Sequence, residues 1–179
     1  MLLQKKSMAD LHRPDVANLS MEKMPLIVVL EDIRSGLNIG SVFRTSDAFK
    51  IQEIILAGFS VIPPHREILK TALDATQSVT WSYTPDLQNT LRSFKAQGYK
   101  IAAIEQVHQS VELQEMHFRD VFPLVVIFGN EVHGVSEGAL SLCDLAIEIP
   151  QAGIKHSLNI AVCAGIVLWQ CYHQYIVSK

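Results

Sequence analysis

The chain has 179 residues, of which 49% are hydrophobic and 18% charged, and its net charge is −3. One domain with a real hydrophobic core is the expectation at this length. The charge excludes a broadly basic nucleic-acid binder, so any RNA contact must use a local patch and a structured target.

Residues 1–24 are polar and mixed in charge. They read as an N-terminal extension, with a helix around Ser7 to His12 broken by Pro14. Its opening, "MLLQKKSMADLHRPD", has no long apolar run and does not read as a signal peptide. Residues 25–179 read as one domain in which strands and helices alternate. Leu26–Glu31 ("LIVVLE") is a buried-strand run, followed by a helix over Ile39–Phe49 with apolar residues at helical spacing. Glu53–Ala57 is a second strand, "GFSVIPPHRE" a loop punctuated by Pro63-Pro64, and His65–Leu73 a short helix. Asp86–Gln97 is a helix closed by Gly98, and Lys100–Glu105 ("KIAAIE") a strand. Leu124–Phe128 ("LVVIF") is the most strongly β-like run. Ser136 caps a short helix to Leu142, Ala146–Ile149 is a last strand, and Ser157 to Ile176 is the longest helix.

Strands separated by helices predict an α/β fold: a mainly parallel sheet with helices on both faces. Ligands of such folds sit at the carboxyl ends of strands. Chemistry is therefore expected in the loops after Glu31, Glu105, Phe128 and Ile149. Three of these are rich in glycine and polar residues: "NIGSVFRTS" (38–46), "GNEVHGVS" (129–136) and "PQAGIKHSLN" (150–159). None spells a phosphate-binding glycine loop by itself.

Bland readings exist for each candidate. Arg44 is a helix-surface arginine or a site residue, and Glu131 a turn carboxylate capping the next helix or a site residue. Ser157 is an N-cap, a ligand contact or both. Asn159 sits two residues into an apolar helix, where an unpaired amide would cost about 1–3 kcal/mol. It therefore needs a partner from a neighbouring loop or a ligand.

His65, His108, His117, His133 and His156 are scattered, with no HxxxH or CxxC pattern, so no metal site is expected. Cys143, Cys163 and Cys171 are odd in number and read as reduced thiols of a cytoplasmic protein. The longest apolar-rich stretch, Leu158–Trp169, contains Asn159 and reads as too short to span a bilayer, so no membrane is expected.

The three loops resemble, in order and spacing, the three motifs of the SpoU/TrmH family within the SPOUT RNA methyltransferases. "NIGSVFRTSDAF" resembles N-x-G-x-x-x-R-T-x-x-x-F. "VVIFGNEVHGVSEGAL" resembles an apolar strand followed by G-x-E-x-x-G. "IEIPQAGIKHSLNIAVCAGIVLW" resembles I-P-M-x-G-x-x-x-S-L-N-V-S-V-A-A-x-I. The match covers roughly residues 26–175, and "KTALDAT" (70–76) looks like a linking segment seen in some members. The departures are Gln151 for methionine, Ala161 for the second serine and Val132 for glycine.

The resemblance implies a deep trefoil knot in the C-terminal half, S-adenosylmethionine bound in the knot, a homodimer, and methylation of a ribose 2′-oxygen in tRNA or rRNA. With no large N-terminal domain in this sequence, tRNA is the expected substrate. The implied catalytic set is Asn38, Arg44, Glu131, Ser157 and Asn159. The implied cofactor set is Ile104, Gly129, Ile149, Leu158 and Asn159. RNA contact is expected from Arg34, Arg44, His65, Arg66, Lys70, Lys155 and His156. Lys5, Lys6 and Arg13 in the extension add reach across the dimer.

The final helix is apolar on most sides (Leu158, Ile160, Val162, Ile166, Val167, Leu168, Trp169), which predicts burial on most sides. A second copy of the chain is the expected cover, with burial inside one subunit as the alternative. A non-catalytic RNA-binding module and a dinucleotide oxidoreductase are the competing functions. The oxidoreductase lacks its glycine fingerprint.

Overall fold

The computed structural model describes residues 3–7, 10 and 23–177. Its strands are β1 (Met24–Glu31), β2 (Ile51–Ala57), β3 (Trp81–Thr84), β4 (Lys100–Ile104), β5 (Val111–Glu112), β6 (Leu124–Phe128) and β7 (Leu145–Glu148). Its helices are α1 (Gly36–Ala48), α2 (Arg66–Ala72), α3 (Ala75–Ser78), α4 (Leu87–Ala96), α5 (Glu137–Leu140) and α6 (Ile160–Val177). The strands form one sheet in the order β3-β2-β1-β6-β4-β7-β5, and every pairing is parallel.

The continuous apolar run of β1 follows from burial on both faces. Leu26, Val28 and Leu30 join a core with Ile39, Val42 and Phe43 of α1, Ile68 of α2 and Val167 of α6. Ile27 and Val29 point the other way, into a core with Leu87 and Leu91 of α4 and Ala139 of α5. Period-two side-chain alternation on the strand thus feeds two helical layers.

The register fixes where the site must be. Leu30 pairs with Phe128, Phe128 with Ile104, and Ile104 with Ile147. The residues that follow, Glu31, Gly129, Glu105 and Glu148, therefore stand side by side at the carboxyl edge of the sheet.

Several boundaries differ from the sequence reading. β3 and β5 were not expected: they are short strands at the two edges of the sheet, and β3 is half-exposed to exposed throughout. α2 begins at Arg66, and the His65 ring accepts a hydrogen bond from the Glu67 N–H at 3.3 Å. Asp86 caps α4 and Ser136 caps α5, each accepting from the amide three residues on. α6 begins at Ile160, not Ser157. Asn159 takes the cap, its Oδ1 accepting from the amides of Ala161 (2.9 Å) and Val162 (3.4 Å). Ser157 is exposed and stands three residues before the helix begins.

α6 continues beyond Trp169 to Val177. Its 18 residues, with a mean hydropathy of 1.4, are by length and composition enough to cross a membrane, so the expectation of too short a stretch does not hold. One face, carrying Ile160, Ala164, Val167, Leu168 and Cys171, is buried in the α1 layer. Phe49 stacks on Tyr172 at 5.1 Å. The opposite face is about half-exposed among the described residues: Val162 is 53% and Trp169 50% exposed. Of the extension's basic residues, Lys5 and Lys6 are exposed, and Arg13 lies outside the described residues, as does most of the helix expected around Ser7 to His12.

Candidate active site

A cavity of about 590 Å³ opens where β4, β6 and β7 end. Its apolar wall comes from Ile104, Phe128, Ile147, Ile149, Leu158 and Ile160. Among the described residues its charged lining is Glu105, Glu131 and Glu148, with no lysine or arginine. Gly129, Asn130, Gln151, His156, Ser157, Asn159 and Cys163 complete much of the rest. Burial pushes the Cys163 thiol up to about 11, with the Glu105 charge adding to it, so this sulfur is a neutral wall and not a nucleophile.

At the mouth, the three loops are joined by one chain of hydrogen bonds. Asn159 Nδ2 donates to Asn38 Oδ1 at 3.1 Å, and Asn38 Nδ2 donates to Glu131 Oε1 at 3.2 Å. The chain has a single polarity. Backbone amides occupy Asn159 Oδ1 at one end, so its Nδ2 must point outward. At the other end an ionised carboxylate can only accept. Both amide side chains are thereby oriented by their surroundings. Asn159 has the partner that the sequence demanded, and it comes from the first loop.

The 129–136 loop is braced from both sides. Asn130 Nδ2 donates to the Asp32 carbonyl (2.8 Å), and its Oδ1 accepts from the amides of Val132 and His133. Glu31 accepts from the Ser136 hydroxyl (2.6 Å) and amide (3.0 Å). A tight bridge pairs Asn130 with Gly134. Gly134 sits at φ +68, and a Cβ there would overlap the Glu105 carboxylate. A Cβ on Gly129 would overlap the Gly134 carbonyl carbon and the Val135 amide.

Of the expected catalytic residues, Asn38, Glu131 and Asn159 meet directly, and Ser157 lines the same cavity. All five expected cofactor residues line it. Arg44 does not join the hydrogen-bonded chain. It lies six residues beyond Asn38, about 9 Å farther along α1, and its guanidinium is exposed with no partner among the described residues. Arg34, Arg66, Lys70 and Lys155 are also exposed. Glu105, Gln106, Asn130, Phe128, Ile147 and Cys163 were missed by sequence. The signal for Glu105 and Gln106 was present: they follow a strand whose exit had been marked. Among the described residues, no group of three or more His, Cys, Asp or Glu side chains is arranged to hold a metal ion.

This arrangement has relatives. The profile of the SpoU rRNA Methylase family matches residues 25–169. The chain belongs to that family. A tRNA (guanosine(18)-2′-O)-methyltransferase of Thermus thermophilus is 31% identical over 152 residues, covering 83% of this chain and 75% of the relative. A 23S rRNA (guanosine-2′-O-)-methyltransferase of Vibrio parahaemolyticus is 28% identical, covering 90% of this chain and 64% of the relative. The SpoU methyltransferase AviRb from Streptomyces viridochromogenes, solved with AdoMet, superposes with a TM-score of 0.77 at 24% identity. That superposition covers 91% of this chain and 65% of AviRb, and shows the shared fold. The chain spans 60% to 64% of the length of the staphylococcal family members it also matches.

Proposed function

We propose that this chain is an S-adenosylmethionine-dependent methyltransferase acting on a ribose 2′-hydroxyl of structured RNA, with tRNA the first substrate to test. The observation that carries the reading is the Asn159–Asn38–Glu131 chain at the mouth of a carboxylate-lined, apolar-walled cavity. The residues present fit the donor. The volume lies within the range of small-ligand pockets. Ile104, Phe128 and Ile149 offer a purine apolar contact, and Glu105, Glu131 and Glu148 favour a ligand of net positive charge. The bound donor supplies an electrophilic methyl group on a sulfonium.

The remaining work falls to this chain's side chains. Asn38 and Asn159 hold the loops at fixed distance and orient the ribose edge of the site. A ribose hydroxyl is a weak nucleophile and must lose its proton as it attacks. Arginine stays protonated at any working pH, so Arg44 is a poor base. It clamps the target phosphate and stabilises the developing alkoxide, while a phosphate oxygen accepts the proton. Arg34, Arg66, Lys70 and Lys155 add phosphate contacts without base choice. The His65 ring contributes through the nitrogen not already bonded to Glu67.

The same proposal includes a trefoil knot through the 129–136 and 150–159 loops, a cytoplasmic site of action, and a homodimer built on the open face of α6. The exposed stripe of Val162, Ile166 and Trp169 supports the dimer. A second reading, the same chemistry on rRNA, is favoured by the Vibrio relative.

The test is transfer from S-adenosylmethionine to bulk tRNA and, separately, to ribosomal RNA, read by nucleoside mass spectrometry. We expect one 2′-O-methyl nucleoside to rise in one pool. Arg44→Ala should lower the rate at least about a hundredfold, the scale of losing one transition-state charge contact. No methylated nucleoside above the protein-free control in either pool would overturn the reading.

A further inference from the structure

The segment 150–158 forms one wall of the cavity, yet all nine of its residues are exposed. Among the described residues, one hydrogen bond reaches it: Gln106 Nε2 donates to the His156 carbonyl at 2.9 Å, across 50 residues of sequence. The neighbouring side chain holds the opposite wall. Glu105 Oε2 accepts from the Val135 amide at 3.0 Å, and its Oε1 accepts from the Gln106 amide at 2.9 Å. Gly134 packs on the same carboxylate so closely that a Cβ would not fit. Glu105 and Gln106 are consecutive, and both line the cavity.

We propose that Glu105 and Gln106, at the exit of β4, are a positioning pair that fixes both walls of the donor pocket. This rests on the donor reading above. Gln106 pins the exposed third loop over the cavity. Glu105 pins the second loop and, with its two oxygens held in place, presents a fixed negative charge to the ligand. Gln106 acts by geometry and treats a charged and a neutral ligand alike. Glu105 acts by geometry and charge, and favours the sulfonium of S-adenosylmethionine over the neutral thioether of S-adenosylhomocysteine.

The test uses calorimetric titration of the full chain with each ligand. Gln106→Met keeps the length and the neutral charge but removes the donor. It should weaken S-adenosylhomocysteine binding about five- to tenfold, the scale of one hydrogen bond. Trypsin cleavage after Lys155 should speed up in the ligand-free variant, as the loop loses its anchor. Glu105→Gln should weaken S-adenosylmethionine more than S-adenosylhomocysteine. In turnover, both variants should raise the donor KM and leave the RNA KM and kcat within about twofold, which a general loss of stability would not do. Wild-type affinities for both ligands in both variants would overturn the proposal. If the wild-type chain binds neither ligand, the donor reading itself fails, and an unchanged trypsin rate in Gln106→Met would then overturn the anchor as well.

Discussion

Asn38 is the residue on which the site turns, because it both accepts and donates. That dual use makes a sharp test possible. Asn38→Asp keeps the acceptor toward Asn159 but replaces the donor toward Glu131 with a like charge. The change should cost about 1–3 kcal/mol and reduce methyl transfer by one to two orders of magnitude. Adding Glu131→Gln restores a donor and an acceptor with the roles exchanged. The double variant should recover part of both losses, with a coupling energy of about 0.5–3 kcal/mol in a denaturation cycle. Additive losses would show that the bond is incidental. At this scale the sequence was informative where chemistry demanded a partner. Asn159 beside an apolar helix announced an unmet amide, and it was met from the first loop. It misled at Ser157, because a cap is decided by which side chain reaches back to the free amides, and Asn159 reaches them. Arg44 was legible as a type of residue but not as a position. Nothing in the spacing says that it stands clear of the network.

The elements show the same division. β1 and β6 were readable because burial on both faces leaves uninterrupted apolar runs, whereas β3 and β5 were not. Trp81-Ser82-Tyr83-Thr84 and Val111-Glu112 lie at the sheet edges, where pairing comes from the neighbour and the local pattern carries little. The turn after β6 is tightly packed. Its close approach at Gly129 leaves no room for a methyl group against the backbone of Gly134 and Val135. Gly129→Ala should therefore push that turn outward, lowering the melting temperature by several degrees and abolishing donor binding. A melting temperature and donor affinity both equal to wild type would mean that the turn has slack the packing does not show. What no local reading supplies is the long-range register. Leu30, Phe128, Ile104 and Ile147 lie level across four strands, and this brings separated loops into one opening.

For the whole molecule, the open side of α6 is an apolar stripe left half-exposed. Val162, Ile166 and Trp169 recur at helical spacing and remain 53%, 39% and 50% exposed. A second copy would remove that surface from water. Trp169→Glu should shift the chain from dimer to monomer in sedimentation at micromolar concentration. An unchanged oligomeric state would place the interface elsewhere, and a monomeric wild type would remove it. The sheet order also bears on biosynthesis. β6 lies between β1 and β4, although both are translated before it. Until Phe128 has left the ribosome, those two earlier strands have no common neighbour. Asn159, which closes the opening, emerges later still. On the donor reading, a polypeptide terminated before Asn159 lacks the residue that closes the opening, and it should not capture the methyl donor.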